Sequence, residues 1–163
     1  MKLPPYSIFP NISNDKILLR QIHKSDISDL LEISFYNGVQ ARSIQEATEM
    51  QSKIDRDYME GNSIHWGIVN KLTNTIVGTC GYYRGFEKGA GELGCVLLSH
   101  FRGQGLMVPA MSLAIDFGLK IIGLNKIWAV TKKQNVAAIK LLERLNFKKF
   151  ADLDEDEIEY ELR

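Results

Sequence analysis

Arg102, Gly103 and Gly105 fall together in the stretch SHFRGQGLMVPA, residues 99–110, where an apolar strand-like run meets a helix-like run. Two glycines there remove side chains from a turning backbone. The result is either a plain turn or a cradle in which bare N–H groups face a phosphate. A helix N-terminus suits the cradle, because about four of its N–H groups lack partners and carry partial positive charge. Pro109 belongs in the first turn of that helix, since deeper inside it would remove a hydrogen bond and clash one turn back. The helix therefore starts near Gly105, with its free N–H groups aimed at the loop. A nucleotide P-loop requires Gly-Lys-Ser/Thr, but Leu106 and Met107 follow Gly105. A dinucleotide fingerprint requires a third glycine where Val108 stands, and an acidic residue near Lys132 and Lys133. Two lysines suit a 2′-phosphate, so an NADP-binding protein stays open.

Glu92 opens an otherwise apolar run, ELGCVLLS (92–99). It is either an edge charge or a proton acceptor working directly or through water. Asn135 stands just before the run NVAAIKLLERLNF (135–147), where it reads as a helix N-cap. Cys80 and Cys95 lie inside strand-like runs and read as small buried hydrophobes rather than a disulfide or a nucleophile. His23, His65 and His100 lack metal-ligand spacing, so no metal site is expected. His65 and Trp66 line the core or an acceptor side. The acidic stretch DLDEDE (152–157) reads as a solvated loop that can also attract a cation.

The elements that must position these residues follow from periodicity. KILLRQI (16–22) reads as a strand, and SDISDLLEISFYN as a helix with Ser25 as N-cap and Ile27, Leu30, Leu31 and Phe35 on one face. SIQEATEMQSKIDRDYMEG reads as a second helix, with a capping box of Ser43 and Glu46 and a stop at Gly61. IHWGIV (64–69), TIVGTCGYY (75–83) and ELGCVLLS form an antiparallel meander with short polar links. Apolar positions 106, 110, 113, 114, 117 and 121 make a sheet-facing helix closed by Gly123. KIWAVT (126–131) is a strand, residues 135–147 a helix ended at Asn146, and EIEYEL (157–162) a half-exposed strand. The expected class is α+β: an antiparallel N-terminal meander, then a C-terminal β-α-β-α unit.

The 163 residues suffice for one domain, 1–163, with a core that buries roughly 70% of the extended surface. A formal net charge of zero gives no bulk attraction to nucleic acid or anionic lipid. No run approaches the ~20 apolar residues that span a bilayer. MKLPPYSIFP, with adjacent prolines, makes a poor signal peptide, and a cytoplasmic location is expected.

The glycine stretch resembles the acyl-CoA-binding motif of the GNAT superfamily of N-acetyltransferases, Gln/Arg-x-x-Gly-x-Gly/Ala. Arg102, Gly103, Gln104, Gly105, Leu106 and Met107 fill it, with Met107 in place of the final Gly/Ala. GTCGYY (78–83) and ELGCVLLSHFRGQGLM (92–107) look like the branch that modifies N-terminal amines of ribosomal proteins, and NVAAIKLLERLNF resembles the family's second motif.

The resemblance implies a GNAT fold whose mixed central sheet has splayed central strands, with acetyl-CoA as co-substrate. The pantetheine arm would enter the gap and pair with Cys95, Val96 and Leu97. The Leu97 N–H would face the thioester oxygen, and the pyrophosphate would sit on residues 103–107, with Arg102 adding charge. Asn135 would approach the pantetheine or the substrate, and Glu92 would be the general base. The family's usual acids, a serine and a tyrosine, are Ala138 and Leu142 here, so Tyr82, Tyr83, water or the incoming substrate must serve. The acceptor is a primary amine, either a protein N-terminus or a small molecule. An α-amine titrates near 8 and a lysine near 10.4, so deprotonating lysine costs roughly 3 kcal/mol more. One visible base therefore favours the more acidic amine. A homodimer is also admitted. A CoA-binding sensor or interaction module without catalysis stays open as the alternative.

Overall fold

The computed structural model describes all 163 residues. The chain runs through β1 (Ile12–Ser13), β2 (Ile17–Arg20), β3 (Phe35–Tyr36), β4 (Val39–Gln40), α1 (Ile44–Met59), β5 (Ile64–Asn70), β6 (Thr75–Tyr82) and β7 (Ala90–Leu97). Then come α2 (Met107–Phe117), β8 (Lys126–Lys132), α3 (Val136–Arg144), β9 (Lys148–Asp152) and β10 (Glu157–Leu162). Eight strands make one sheet in the order β1-β2-β5-β6-β7-β8-β10-β9, while β3 and β4 form a separate hairpin. Helix α2 packs against β2, β6 and β7 over the main core, which Leu142 and Phe147 also enter from the α3 region. Helix α1 packs against β5 and the β3–β4 hairpin.

All neighbours are antiparallel except β7 and β8, whose α2 crossover makes them parallel. That parallel pairing covers only Ala90–Lys126, Gly91–Ile127 and Glu92–Trp128. Beyond Glu92 the two strands part, which is the splay that the GNAT resemblance implies. The meander and the C-terminal β-α-β-α unit are present, and Lys148–Asp152 adds an edge strand that sequence periodicity did not reveal. Four of its five residues are exposed, so it lacks an alternating apolar face to read.

One expected helix does not form. Residues 24–34 make 3-10 turns, with i→i+3 bonds such as Ile27 N–H to Lys24 C=O and Ile33 N–H to Leu30 C=O. The cap is not Ser25. Asp26 accepts from the His23 N–H at 2.7 Å and takes a bidentate pair from Arg20 at 2.7 and 2.9 Å. Downstream, Asn37 and Gly38 adopt left-handed φ values of 49° and 78° and close the β3–β4 hairpin. Asn-Gly is the strongest short hairpin signal, and it overrode the helical spacing of Phe35. Phe35 accordingly leaves the core and is half exposed.

The other helices follow their caps. Ser43 Oγ accepts from the Glu46 N–H at 3.1 Å, while the Glu46 carboxylate accepts from the Arg42 N–H, one residue earlier than a standard capping box. Pro109 lies in the first turn of α2, two residues after its start. Residues 118–122 continue α2 as a wider π turn, ended by Gly123 at φ 84°. The wider turn shifts the phase, so Ile122 is buried and Ile121 is not.

Candidate active site

Strand β7 carries the site because its two backbone edges have different fates. Leu98 N–H donates to Val77 C=O and Tyr83 N–H to Glu92 C=O, with constant register between. Antiparallel alternation then spends the backbone groups of Glu92, Gly94 and Val96 on β6. Those of Leu93, Cys95 and Leu97 point the other way, into the gap that opens beyond Glu92. The gap-facing backbone therefore comprises Cys95 and Leu97, and Val96 contributes a side chain instead. Arg102 Nε donates to the Leu97 carbonyl at 3.3 Å, which ties the glycine loop to the end of β7 and leaves the Leu97 N–H open.

The loop itself is built as a cradle. Gly103 and Gly105 have φ values of 74° and 73°, where a Cβ is disfavoured, and a Cβ on either would meet nothing within 4 Å. No backbone hydrogen bond is donated by Gly103, Gln104, Gly105, Leu106, Met107 or Val108. The α2 N-cap, Leu106, has no side chain that can cap. This concentration of unpartnered N–H groups at a helix N-terminus fits a pyrophosphate. Glu32 holds the approach to the loop, accepting from the Ser99 N–H at 3.1 Å. Asn135 caps α3, accepting from the Ala138 N–H at 3.1 Å.

On the face opposite the main core lies a cavity of about 290 Å3, lined by β5, β6 and β7, the 3-10 turns, the β3–β4 hairpin and α1. Glu92 and Val96 line it from β7. Glu92 Oε2 is buried and accepts no hydrogen bond. The Arg84 guanidinium stands 3.3 Å away, but it is three-quarters exposed and not aligned to donate. Burial pushes the Glu92 carboxyl above its usual range; Arg84 pulls it down, and Glu159 and Glu157 push it up again.

Tyr83 crosses the space between Glu92 and Val96. Its ring occupies the position that a Cβ on Gly94 would take, at 1.7 Å, so Gly94 is glycine because the ring lies on it. Thr79, which pairs with Val96 across the ladder, is a polar neighbour that lowers the Tyr83 pKa slightly against burial. Burial, above all, holds the Tyr83 phenol well above its ordinary value, so it stays protonated. The His65 ring packs against it with centroids 4.5 Å apart, and burial lowers His65 to about 4, leaving it neutral. Tyr82 is excluded from this role: it is fully buried on the other face and donates to the Ala114 carbonyl at 2.8 Å.

Glu92 and Leu97 are five residues apart in a strand of unbroken register. At about 3.3 Å per residue they stand roughly 16 Å apart along β7. Glu92 therefore cannot touch an atom bound at the Leu97 N–H. The side chain lying between the two levels is Tyr83, whose ring covers Gly94. Sequence reading named it only among substitutes. The signal that could have singled it out is Gly94, diagonally opposite it once the β6–β7 register is known.

Comparison with known proteins agrees with this geometry. The sequence profile of the acetyltransferase (GNAT) domain matches residues 16–148. The uncharacterized N-acetyltransferase YoaA of Bacillus subtilis is 28% identical over 150 residues, 87% of this chain and 85% of that protein. A ribosomal-protein alanine acetyltransferase of Vibrio fischeri superposes with a TM-score of 0.78 at 20% identity, covering 94% of this chain and 96% of that one. The dodecameric spermidine N-acetyltransferase of Vibrio cholerae superposes with a TM-score of 0.78 at 17% identity, covering 91% and 94%. The strand gap beyond Glu92, the cradle at 103–108 and the matched profile have one common explanation: this chain belongs to the GNAT acetyltransferase family.

Proposed function

We propose that the chain transfers an acetyl group from acetyl-CoA to a primary amine by direct attack on the thioester. The observation that carries the reading is the pairing of two features on one strand. β7 offers free N–H groups to the gap on one side and, to a cavity on its face, a carboxylate with one buried oxygen that accepts no hydrogen bond. A buried carboxylate oxygen without a hydrogen bond costs stability and is a candidate proton acceptor for the bound amine.

In this reading the N–H groups of Gly103, Gln104, Gly105, Leu106 and Met107 hold the pyrophosphate, with Arg102 adding charge. The Cys95 and Leu97 backbone pairs with the pantetheine arm, and Asn135 flanks it from the α3 N-terminus. The Leu97 N–H donates to the thioester oxygen and strengthens that bond as negative charge develops. The ammonium of the acceptor loses one proton to Glu92 through cavity water. The neutral nitrogen attacks the carbonyl carbon, the C–S bond breaks, and the nitrogen's second proton passes to the departing sulfur. The Tyr83 hydroxyl, kept protonated by burial, relays it. The thiolate has a reference pKa near 8.5, so hydrogen bonding from Tyr83 suffices and no side chain is needed at Ala138 or Leu142.

Amine-dependent release of free thiol from acetyl-CoA tests the transfer; release without an amine, or none with any amine, would contradict it. Tyr83→Phe is expected to lower kcat about 10- to 100-fold with little change in KM for acetyl-CoA, and an unchanged kcat removes the relay. Gly105→Val is expected to weaken CoA at least tenfold, because a β-branched residue is strained at φ 73° and its side chain enters the open side of the cradle. Calorimetric titration of folded mutant with CoA measures it, and wild-type affinity would make the loop a plain turn.

A further inference from the structure

The cavity above β7 also describes its acceptor, an inference that rests on the transferase reading. Apolar side chains enter it from three sides. Ile22, Leu30 and Ile33 come from the exit of β2 and the 3-10 turns, Met50 and Ile54 from α1, and Val96 from the sheet. At about 290 Å3 it lies at the lower edge of the roughly 300–1,000 Å3 typical of small-molecule pockets. It is far larger than a methyl or hydroxymethyl group needs.

Charge in the cavity is sparse and uneven. Glu92 holds a carboxylate oxygen with no hydrogen bond. The other acidic group, Asp57 on α1, already accepts from the Tyr36 hydroxyl at 2.9 Å. Lys53 lies 5.5 Å over the Tyr36 ring and adds positive charge on that side. Arg84 is the only basic side chain in the lining and faces Glu92. His65 lines the floor without charge. One ammonium is therefore welcomed at Glu92, and a second finds only Asp57, already engaged by the Tyr36 hydroxyl with Lys53 on the same ring, or apolar wall where its desolvation goes uncompensated. Phe35, half exposed on the β3–β4 hairpin, also lines the cavity and offers an aromatic surface to an apolar body.

We infer that the acceptor is a primary amine with a single positive charge and a bulky apolar body filling this cavity. Two sources carry that chemistry: a free alkyl- or arylalkylamine, and the first residue of a peptide that begins with Leu, Met or Phe.

The test is a set of initial rates of thiol release by the wild-type protein at saturating acetyl-CoA. The free-amine arm compares 2-phenylethylamine and 3-methylbutylamine with ethylamine and spermidine. The peptide arm compares tetrapeptides that differ only in a first residue of Leu, Phe, Ala or Ser. The expected result is a kcat/KM at least tenfold higher for the bulky apolar members of one arm or both, and the arm that responds names the source. Small or multiply charged acceptors matching or exceeding the bulky ones in both arms would overturn the inference and leave the transferase reading intact. No release with any amine would overturn both. Met50→Trp, which fills the cavity from α1, is expected to lower the ratio of 2-phenylethylamine to ethylamine turnover at least tenfold. That ratio does not depend on the folded fraction, and its constancy would place the acceptor elsewhere.

Discussion

Glu92→Gln is expected to lower kcat/KM about 10²-fold, the lower end of the ~10²–10⁴ range for a general base, because Glu92 acts across water. CoA affinity should not change, since the carboxylate faces the cavity and not the gap. The loss should shrink as pH rises, because more acceptor is then neutral in solution. Stability supplies an independent sign. The folded carboxyl titrates above its unfolded value, through burial first, with Arg84 opposing and Glu159 and Glu157 adding to it. Between the two values the native state binds more protons than the unfolded chain, so stability falls as pH rises through that window. At neutral pH the ionised Glu92 is thus a liability to the fold. Glutamine should keep Tm the same or raise it while turnover collapses. A residue held for structure would show the opposite: lower Tm, and no pH dependence of the rate defect. Parallel pH–rate profiles with a loss under about threefold would remove Glu92 from proton transfer.

The same contrast explains what could be read without coordinates. The cradle is a local feature: two glycines, a proline and an uncapped helix start within eight residues, so the loop at 102–109 was legible as sequence. The meander was legible for the same reason, because alternation and short polar links act over a few residues. The span 25–34 misled because two long-range facts compete with its helical spacing. Arg20 on β2 claims Asp26, and the hairpin at Asn37–Gly38 turns the chain away. The cavity was not legible at all. Its walls combine Ile22, Ile33, Met50 and Val96, which only the packing of α1 and the 3-10 turns across the sheet brings together. Nor does a sequence reveal that Tyr83 lies over Gly94, since that depends on the register of β6 against β7. Local chemistry is written in runs of residues; distances between groups, such as that separating Glu92 from Leu97, require the strand they share.

Removing the Leu97 N–H is expected to lower kcat by a further 10²–10³-fold, the usual effect of deleting one oxyanion donor. Proline is the substitution that removes it. The position tolerates the change better than most strand sites, because this N–H faces the gap and makes no ladder bond with β6. The preceding residue, Val96, is already extended, as a residue before proline should be. The side chain is the complication. Leu97 is buried in the main core, so Leu97→Pro also vacates packed volume, and a Leu→Ala change at such a site typically costs about 2–5 kcal/mol. Leu97→Ala is therefore the reference, since it loses the side chain and keeps the N–H. Both variants should melt earlier than wild type by similar amounts. Turnover per folded molecule should fall little in Leu97→Ala and by 10²–10³-fold in Leu97→Pro, with CoA affinity within a few-fold between them because the cradle at 103–108 is untouched. The comparison isolates one hydrogen bond: if the two variants turn over within threefold of each other, the thioester oxygen is held elsewhere on β7. Cys95 is then the next candidate, because its N–H faces the same gap two residues nearer to Glu92.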